Sequence, residues 1–276
     1  MKSYPLFFVF IISMGGLSSC TTYRYIYAAS PANSPYFTEK GQSKLAGYYS
    51  NNVGGPSVGS FADGFDIHGA YAISDHWALT VGYFNRKEED INNNNYNIPF
   101  DSSAIRYKRN LFSVGAGYFI AVNPRKTITF NLYGGMDFGK FSFTENGTEN
   151  GIPGERFHNS NITKWFFQPS INFMPGKYFR ASIILKKSYV HYGGITTNYT
   201  ADELAYYSLD TIVNKTIFFS EPALDMQFGV PGVHWLKFDL MWSSISNPVY
   251  ENTLLAVRSF DFSIGLCIDF SKMGKK

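Results

Sequence analysis

Apolar side chains recur at every second position along most of this chain. Between Gly64 and Glu88, Phe65, Ile67, Gly69, Tyr71 and Ile73 share one parity and Asp66, His68, Ala70 and Ala72 the other. Beyond Ser74-Asp75-His76, Trp77, Leu79, Val81 and Tyr83 alternate with Ala78, Thr80 and Gly82. A period of two marks β-strands whose two faces meet different surroundings, and the short break between the runs predicts a tight turn. The same split recurs near 44–51, 105–122, 127–143, 163–174, 178–191, 222–230, 233–245 and 257–270, which with the first hairpin makes ten strands. In the last of them Phe260, Phe262, Ile264, Leu266, Ile268 and Phe270 oppose Asp261, Ser263, Gly265, Cys267 and Asp269.

A soluble sandwich also alternates, so the decision rests on what the minor face carries. Asp66, Asp137, Arg180, Lys186, Asp225, Lys237, Asp239, Asp261 and Asp269 all fall on it. The shared core of a sandwich has no room for so many charges. A closed barrel turns that face into its own lumen and the apolar face into lipid, where an unpaired charge is costly. The expected fold is therefore all-β: a closed antiparallel transmembrane β-barrel of about ten strands over residues 43–272. The lumenal set has two readings, a structural network of ion pairs and hydrogen bonds filling a narrow barrel, or a cation-preferring pore lined by excess acids. Cys267 on the same face reads as a small buried side chain.

Strand joins alternate in length. Short ones fall at Ser74 to His76, Asn123 to Lys126, Pro175 to Lys177 and Pro231-Gly232; long ones near 51–62, 89–104, 145–162, 192–221 and 246–256. Outer-membrane barrels have short periplasmic turns and long outer loops, so an even strand count predicts both chain ends in the periplasm. Asn92 to Asn95 and Asn146 to Pro153 read as mobile polar loops. Thr200-Ala-Asp-Glu203, followed by Leu204, Tyr206, Tyr207 and Leu209, has the spacing of a capping box opening a short helix, placed where it would cap the barrel mouth.

Composition agrees with this picture and narrows the partners. Of 276 residues 45% are apolar and 16% charged, which excludes general disorder, while 20 Tyr, 26 Phe and 25 Gly suit a β-chain with aromatic belts. A net charge of +3 gives no basis for nucleic-acid binding. The two cysteines, Cys20 and Cys267, form no disulfide framework.

Residues 1–19 read as a targeting segment, with Lys2 as its basic start, Tyr4 to Met14 as its apolar run and Leu17-Ser18-Ser19-Cys20 at its end. The run is too short to span a bilayer as a helix. This segment resembles a bacterial lipoprotein signal peptide, and the resemblance implies cleavage before Cys20, a diacylglycerol and acyl chain on Cys20, and no other cofactor. Thr21-Thr22 departs from the Asp that retains many members of that family in the inner membrane, and no acidic cluster of the kind associated with surface export follows, so the anchor is expected on the periplasmic side of the outer membrane. Residues 20–42 carry Pro31, Pro35 and Gly41 without periodicity and read as an extended linker, and 273–276 as a basic tail. Pro31 to Pro35, Glu39-Lys40-Gly41 and Ala70 to His76 resemble uncharacterised outer-membrane barrel lipoproteins of the Bacteroidetes type; the match covers about a quarter of the chain and implies location and fold, not activity. Phe270 resembles the C-terminal aromatic signal read by the barrel-assembly machinery. Expected partners are thus outer-membrane lipid, that machinery during biogenesis, and an envelope protein.

Catalytic and metal signals are thin. His68, His76, His158, His191 and His234 show no metal-ligand spacing, and neither a G-x-S-x-G motif nor a Gly-rich phosphate loop is present. The strand number resembles that of the omptin-type outer-membrane proteases, in which acidic residues and a histidine sit at the barrel mouth. His191 with Asp202 or Asp210 is the nearest match, and no paired-acid motif accompanies it. The reading is a lipid-anchored, non-enzymatic barrel that serves as a structural or binding component of the envelope. A narrow pore stands second and a mouth-sited hydrolase third.

Overall fold

The computed structural model describes residues 23–54, 62–92, 100, 102–213, 215–246 and 254–273. The signal segment, Cys20, Asn93 to Asn95 and residues 274–276 of the tail lie outside the described residues. Ten strands close an antiparallel barrel: β2 (Ser43–Val53), β3 (Ala62–Ala72), β4 (Trp77–Asn92), β5 (Ser102–Ala121), β6 (Ile128–Glu149), β7 (Ile152–Phe173), β8 (Phe179–Thr197), β9 (Thr216–Val230), β10 (Val233–Ser244) and β12 (Phe260–Asp269). Each pairs with its sequence neighbour, and β12 joins β10 to β2 to close the ring. Among the described residues this ring leaves no strand edge open, the condition for a sheet in hydrocarbon.

Facing follows the alternation. Phe65, Ile67, Leu79, Val81, Ile183, Leu185, Ile264 and Leu266 point outward, whereas Asp66, His68, Ser182, Lys186, Ser263 and Cys267 point inward and are buried. An outer surface of aliphatic and aromatic side chains, with charges turned inside, is the inverse of a soluble protein and defines a transmembrane barrel. Interface aromatics gather at the turn end, where Trp77 packs edge-on against Tyr118 and His76 stacks on the same ring.

The wall has uneven height. A tilted strand needs roughly 9–11 residues to cross a bilayer, but β5, β6, β7 and β8 run for 20, 22, 22 and 19 residues. Their outward residues turn polar toward the long-loop end, as at Lys108, Asn110 and Lys140, so these strands stand well clear of the apolar band. The 145–162 region, expected as a polar loop, is the top of this extension. β6 and β7 stay paired up to Glu149 and Ile152 around Asn150 and Gly151, both with positive φ (51° and 78°), as a two-residue hairpin turn requires. Asn and Gly there signal a tight turn rather than a loose loop.

The main departure from expectation lies inside. Residues 24–37, expected as part of an extended linker, thread the lumen and are buried almost throughout. Arg24–Ala28 forms β1, which pairs in parallel with β11 (Leu255–Arg258) in a separate two-stranded sheet. The expected last strand, 257–270, is accordingly divided. Its wall portion starts at Phe260, and the preceding residues turn inward to give β1 a partner for main-chain groups that would otherwise be buried unpaired.

Candidate functional site: the occupied lumen

The N-terminal segment runs the length of the barrel. At its start Arg24 meets Glu145, near the top of β6, at 2.7 Å, and Arg24 N donates to Leu254 O at 2.8 Å. At its end Phe37 packs edge-on against Phe119 beside Ala72 and Ala78, and Gly41 N donates to Ala72 O, at the short-turn mouth. β12 also ends at the short-turn mouth. The two ends of the described chain therefore lie at opposite mouths, against the expectation of both in the periplasm. The even strand count correctly places Ser43 beside Asp269. It carries no information about residues 24–37, which return through the lumen.

Barrel side chains hold this segment by its carbonyls. Asn131 Nδ2 and Asn172 Nδ2 both donate to Pro35 O (2.9 and 3.4 Å), Gln168 Nε2 to Asn33 O (3.0 Å), Asn52 Nδ2 to Ala29 O (2.9 Å) and Tyr192 OH to Ile26 O (2.8 Å). Arg109 reaches Tyr25 O. A segment with at most one strand partner keeps polar backbone that no ladder satisfies, and these donors replace water around it.

Every charged residue assigned to the lumen from sequence is buried there, but several pairings involve bases not assigned. Asp66 and Asp261 share Arg86 at 2.9 and 3.2 Å, and Asp137 meets Lys164 at 2.7 Å. Glu88 takes Arg109 at 2.9 Å and also Arg258. Arg180 and Asp269 pair at 3.4 Å as two assigned residues. Lys186 donates to Ser30 Oγ of the segment and Lys237 to His234 O (3.2 and 3.3 Å). Asp225 accepts from Tyr36 OH at 3.2 Å, and Asp239 from Tyr48 OH and Gln227 Nε2, each at 2.8 Å. Strand parity alone would have found Lys164 with Gln168 and Arg86 with Phe84, since each lies an even number of positions from an inward residue. With Arg24, Lys44, Arg86, Arg109, Lys164 and Arg258 included, nine buried bases stand against eleven buried acids among the described residues, so the two-to-one excess of acids on which a cation-preferring lining rested shrinks to two carboxylates.

Free volume is small. Ser30, Asn33, His68, Asp137 and Lys186 help to line a cavity of about 40 Å³, room for about one or two waters. Asn33 Oδ1, His68 Nδ1 and Asp137 Oδ1 have no protein partner among the described residues, which suits such water.

The long-loop mouth is capped as the Thr200–Glu203 spacing predicts. Helix α1 (Ala201–Tyr206) carries both halves of the box: Thr200 Oγ1 accepts from Glu203 N at 3.3 Å and Glu203 Oε2 from Thr200 N at 2.7 Å. Below it Tyr207 lies under the Arg24 guanidinium, 3.6 Å from ring centroid to charge, and Tyr199 OH donates to Glu145 at 2.5 Å. Burial pushes the Tyr207 hydroxyl up to about 12, so it stays protonated. Burial tends to raise Glu203, but hydrogen bonds from Arg156 and Thr200 prevail and hold its carboxyl below the usual range.

Among the described residues no group of three or more His, Cys, Asp or Glu side chains is placed to hold a metal ion. No hydrogen bond or ion pair among them joins His191 to Asp202 or Asp210, and both acids are exposed. Cys267 is buried as a free thiol.

No protein-family model matches the sequence, and no curated protein matches it. Solved structures similar to it are membrane barrels. Ail, the attachment invasion locus protein of Yersinia pestis, in complex with the heparin analogue sucrose octasulfate, is 18% identical over 57% of this chain and 92% of its own, with a TM-score of 0.31. OmpT, an outer membrane protein of Vibrio cholerae, is 10% identical over 87% and 100%, with a TM-score of 0.26. The transport unit of the autotransporter AIDA-I from Escherichia coli is 10% identical over 83% and 89%, with a TM-score of 0.31. Each likeness is one of barrel architecture alone.

Proposed function

We propose that this protein is a plugged outer-membrane barrel lipoprotein, acylated at Cys20, that serves as a structural or binding component of the envelope rather than as a channel or an enzyme. The observation that carries the reading is the course of residues 24–37 through the lumen, tied to the wall along its length. A pore needs a continuous water path, and here main chain and paired charges occupy it. The resemblance to lipoprotein barrels of the Bacteroidetes type supports the anchor, and Phe270 supports handling by the barrel-assembly machinery. The capped mouth and the tall β5–β8 wall offer a surface to an envelope partner. In planar bilayers the full-length protein should add no discrete conductance. Sustained unitary currents that disappear when the lumen is blocked would overturn the plugged reading, and turnover of peptide or ester substrates by the purified barrel would overturn the non-enzymatic one.

A further inference from the structure

We propose that the outward-facing lysines Lys87, Lys108 and Lys140, on β4, β5 and β6, bind the phosphate of a lipid headgroup in the leaflet on the long-loop side, with the acyl chains of that lipid against the apolar wall below. The inference needs only the membrane-spanning wall. It is independent of acylation at Cys20 and of which mouth faces the cell exterior.

The aromatic ring beneath these lysines fixes their level. Tyr83, Phe112 and Phe138 occupy directly paired outward positions on the three strands, and the two phenylalanine ring centroids are 5.3 Å apart. Above them the wall changes character within two residues, about 7 Å along a strand. Asn85, Asn110 and Lys140 form the next paired row, where Asn110 Oδ1 accepts from Asn85 Nδ2 and lies 3.5 Å from Tyr83 OH. A tyrosine with its ring among apolar neighbours and its hydroxyl among amides marks the boundary between hydrocarbon and headgroups. One row further up, Lys87 stands directly opposite Lys108, and Lys108 is diagonal to Lys140. All three are exposed. Like charges at such cross-strand positions repel, and none of the three has an ion pair among the described residues. Nearby acids are committed elsewhere: Glu89 takes Arg106 at 3.0 Å, and Asp63, opposite Lys87, accepts from Tyr49 OH at 3.3 Å. On β7 the matching outward positions are Asn159, Asn161 and Thr163, so the basic patch ends at β6. Crowded ammonium groups without carboxylates, at headgroup level, complement a phosphomonoester, which carries about −1.5 to −2 charges at neutral pH and takes lysine as a point-charge partner.

Lipid titrations of the full-length barrel in detergent, followed by native mass spectrometry, test the site. The probes are dioleoyl phosphatidate as the phosphomonoester lipid, dioleoyl phosphatidylcholine as the zwitterionic one and inorganic phosphate as the free anion. The expected result is binding of phosphatidate about tenfold or more tighter than of phosphatidylcholine. The combined variant Lys87→Gln, Lys108→Gln, Lys140→Gln should lose that preference while heat-modifiable migration shows it folded. A matched variant in the short turns, Arg125→Gln, Lys126→Gln, Lys177→Gln, should keep it. Equal phosphatidate affinity in the native protein and the β4–β6 variant would overturn the proposal. An equal loss in the short-turn variant would also overturn it, by reducing the effect to net charge. Displacement of phosphatidate by an equimolar amount of inorganic phosphate would make the free anion the ligand and overturn the lipid.

Discussion

The upper and lower halves of the lumen hold the same segment by different means. Toward the long loops, β1 has a strand partner in β11, and the wall around it is rich in aromatics and ion pairs. Tyr27 stacks on Phe219 at 4.2 Å, the Arg258 guanidinium lies 3.5 Å from the Tyr25 ring centroid, and Tyr107, Phe141, Phe143 and Tyr192 complete the cluster. Toward the turns, residues 29–37 have no strand partner, and the wall answers with Asn52, Asn131, Gln168 and Asn172. Where a ladder satisfies part of the segment's backbone, the wall adds only Arg109 to Tyr25 O and Tyr192 OH to Ile26 O and is otherwise free to present rings. Where it is not, wall positions must be spent on amide donors, because each buried carbonyl left alone costs about 1–3 kcal/mol.

The largest break in this contrast should come from the upper half. Glu88→Ala leaves Arg109 and Arg258 buried without their shared carboxylate, a loss of about 3–5 kcal/mol measurable as a shift in the urea midpoint of the folded barrel in detergent. Arg106→Ala is the control, since its pair with Glu89 is 64% and 49% exposed and should change stability by about 0–1 kcal/mol.

Next in size is a test of the wall itself. Leu266→Arg and Leu240→Arg put a charge toward lipid at about 2–4 kcal/mol near the midplane, read as loss of folded, heat-modifiable barrel. Ser263→Arg on the inner face would be mild in an open lumen. Here Ser263 is fully buried between Ser50 and Asp261, so it should assemble no better than Leu266→Arg.

The lower half should yield by smaller steps. Asn131→Ala removes one of two donors to Pro35 O, worth about 1 kcal/mol, and Asn172→Ala removes the other together with its bonds to Ser34, Thr129 and Ser182 and so costs more. The double variant should exceed the sum of the singles, because only then is the carbonyl orphaned, and hydrogen exchange of residues 33–37 would show it as faster opening.

The smallest effect concerns the cap and has a defined sign. A carboxyl held below its ordinary range stabilises the fold above its unfolded pKa and loses that contribution as pH falls through the folded value. Amide exchange in α1 should therefore accelerate, relative to the rest of the barrel, as pH drops below the usual carboxylate range. Glu203→Gln, lacking the titration, should exchange faster at neutral pH and show little further change on acidification.

The sequence by itself determined the wall. Period-two alternation assigns each residue to lipid or lumen because a strand allows only two directions, and turn chemistry marks the short joins. Thr200 and Glu203 were legible for a similar reason: a capping box is a contact across three residues. Nothing comparable marks residues 24–37, whose neighbours lie on most strands of the ring. Arg24 finds Glu145 121 positions away, and Tyr27 finds Glu221 194 positions away. A segment in contact with a closed wall on every side has no polar face and apolar face to alternate between, so it carries no period and reads as linker. Only closure of the barrel turns that aperiodic stretch into a plug, supplies Arg24 with a carboxylate and the segment's carbonyls with donors, and sets the first described residues at the mouth opposite the last.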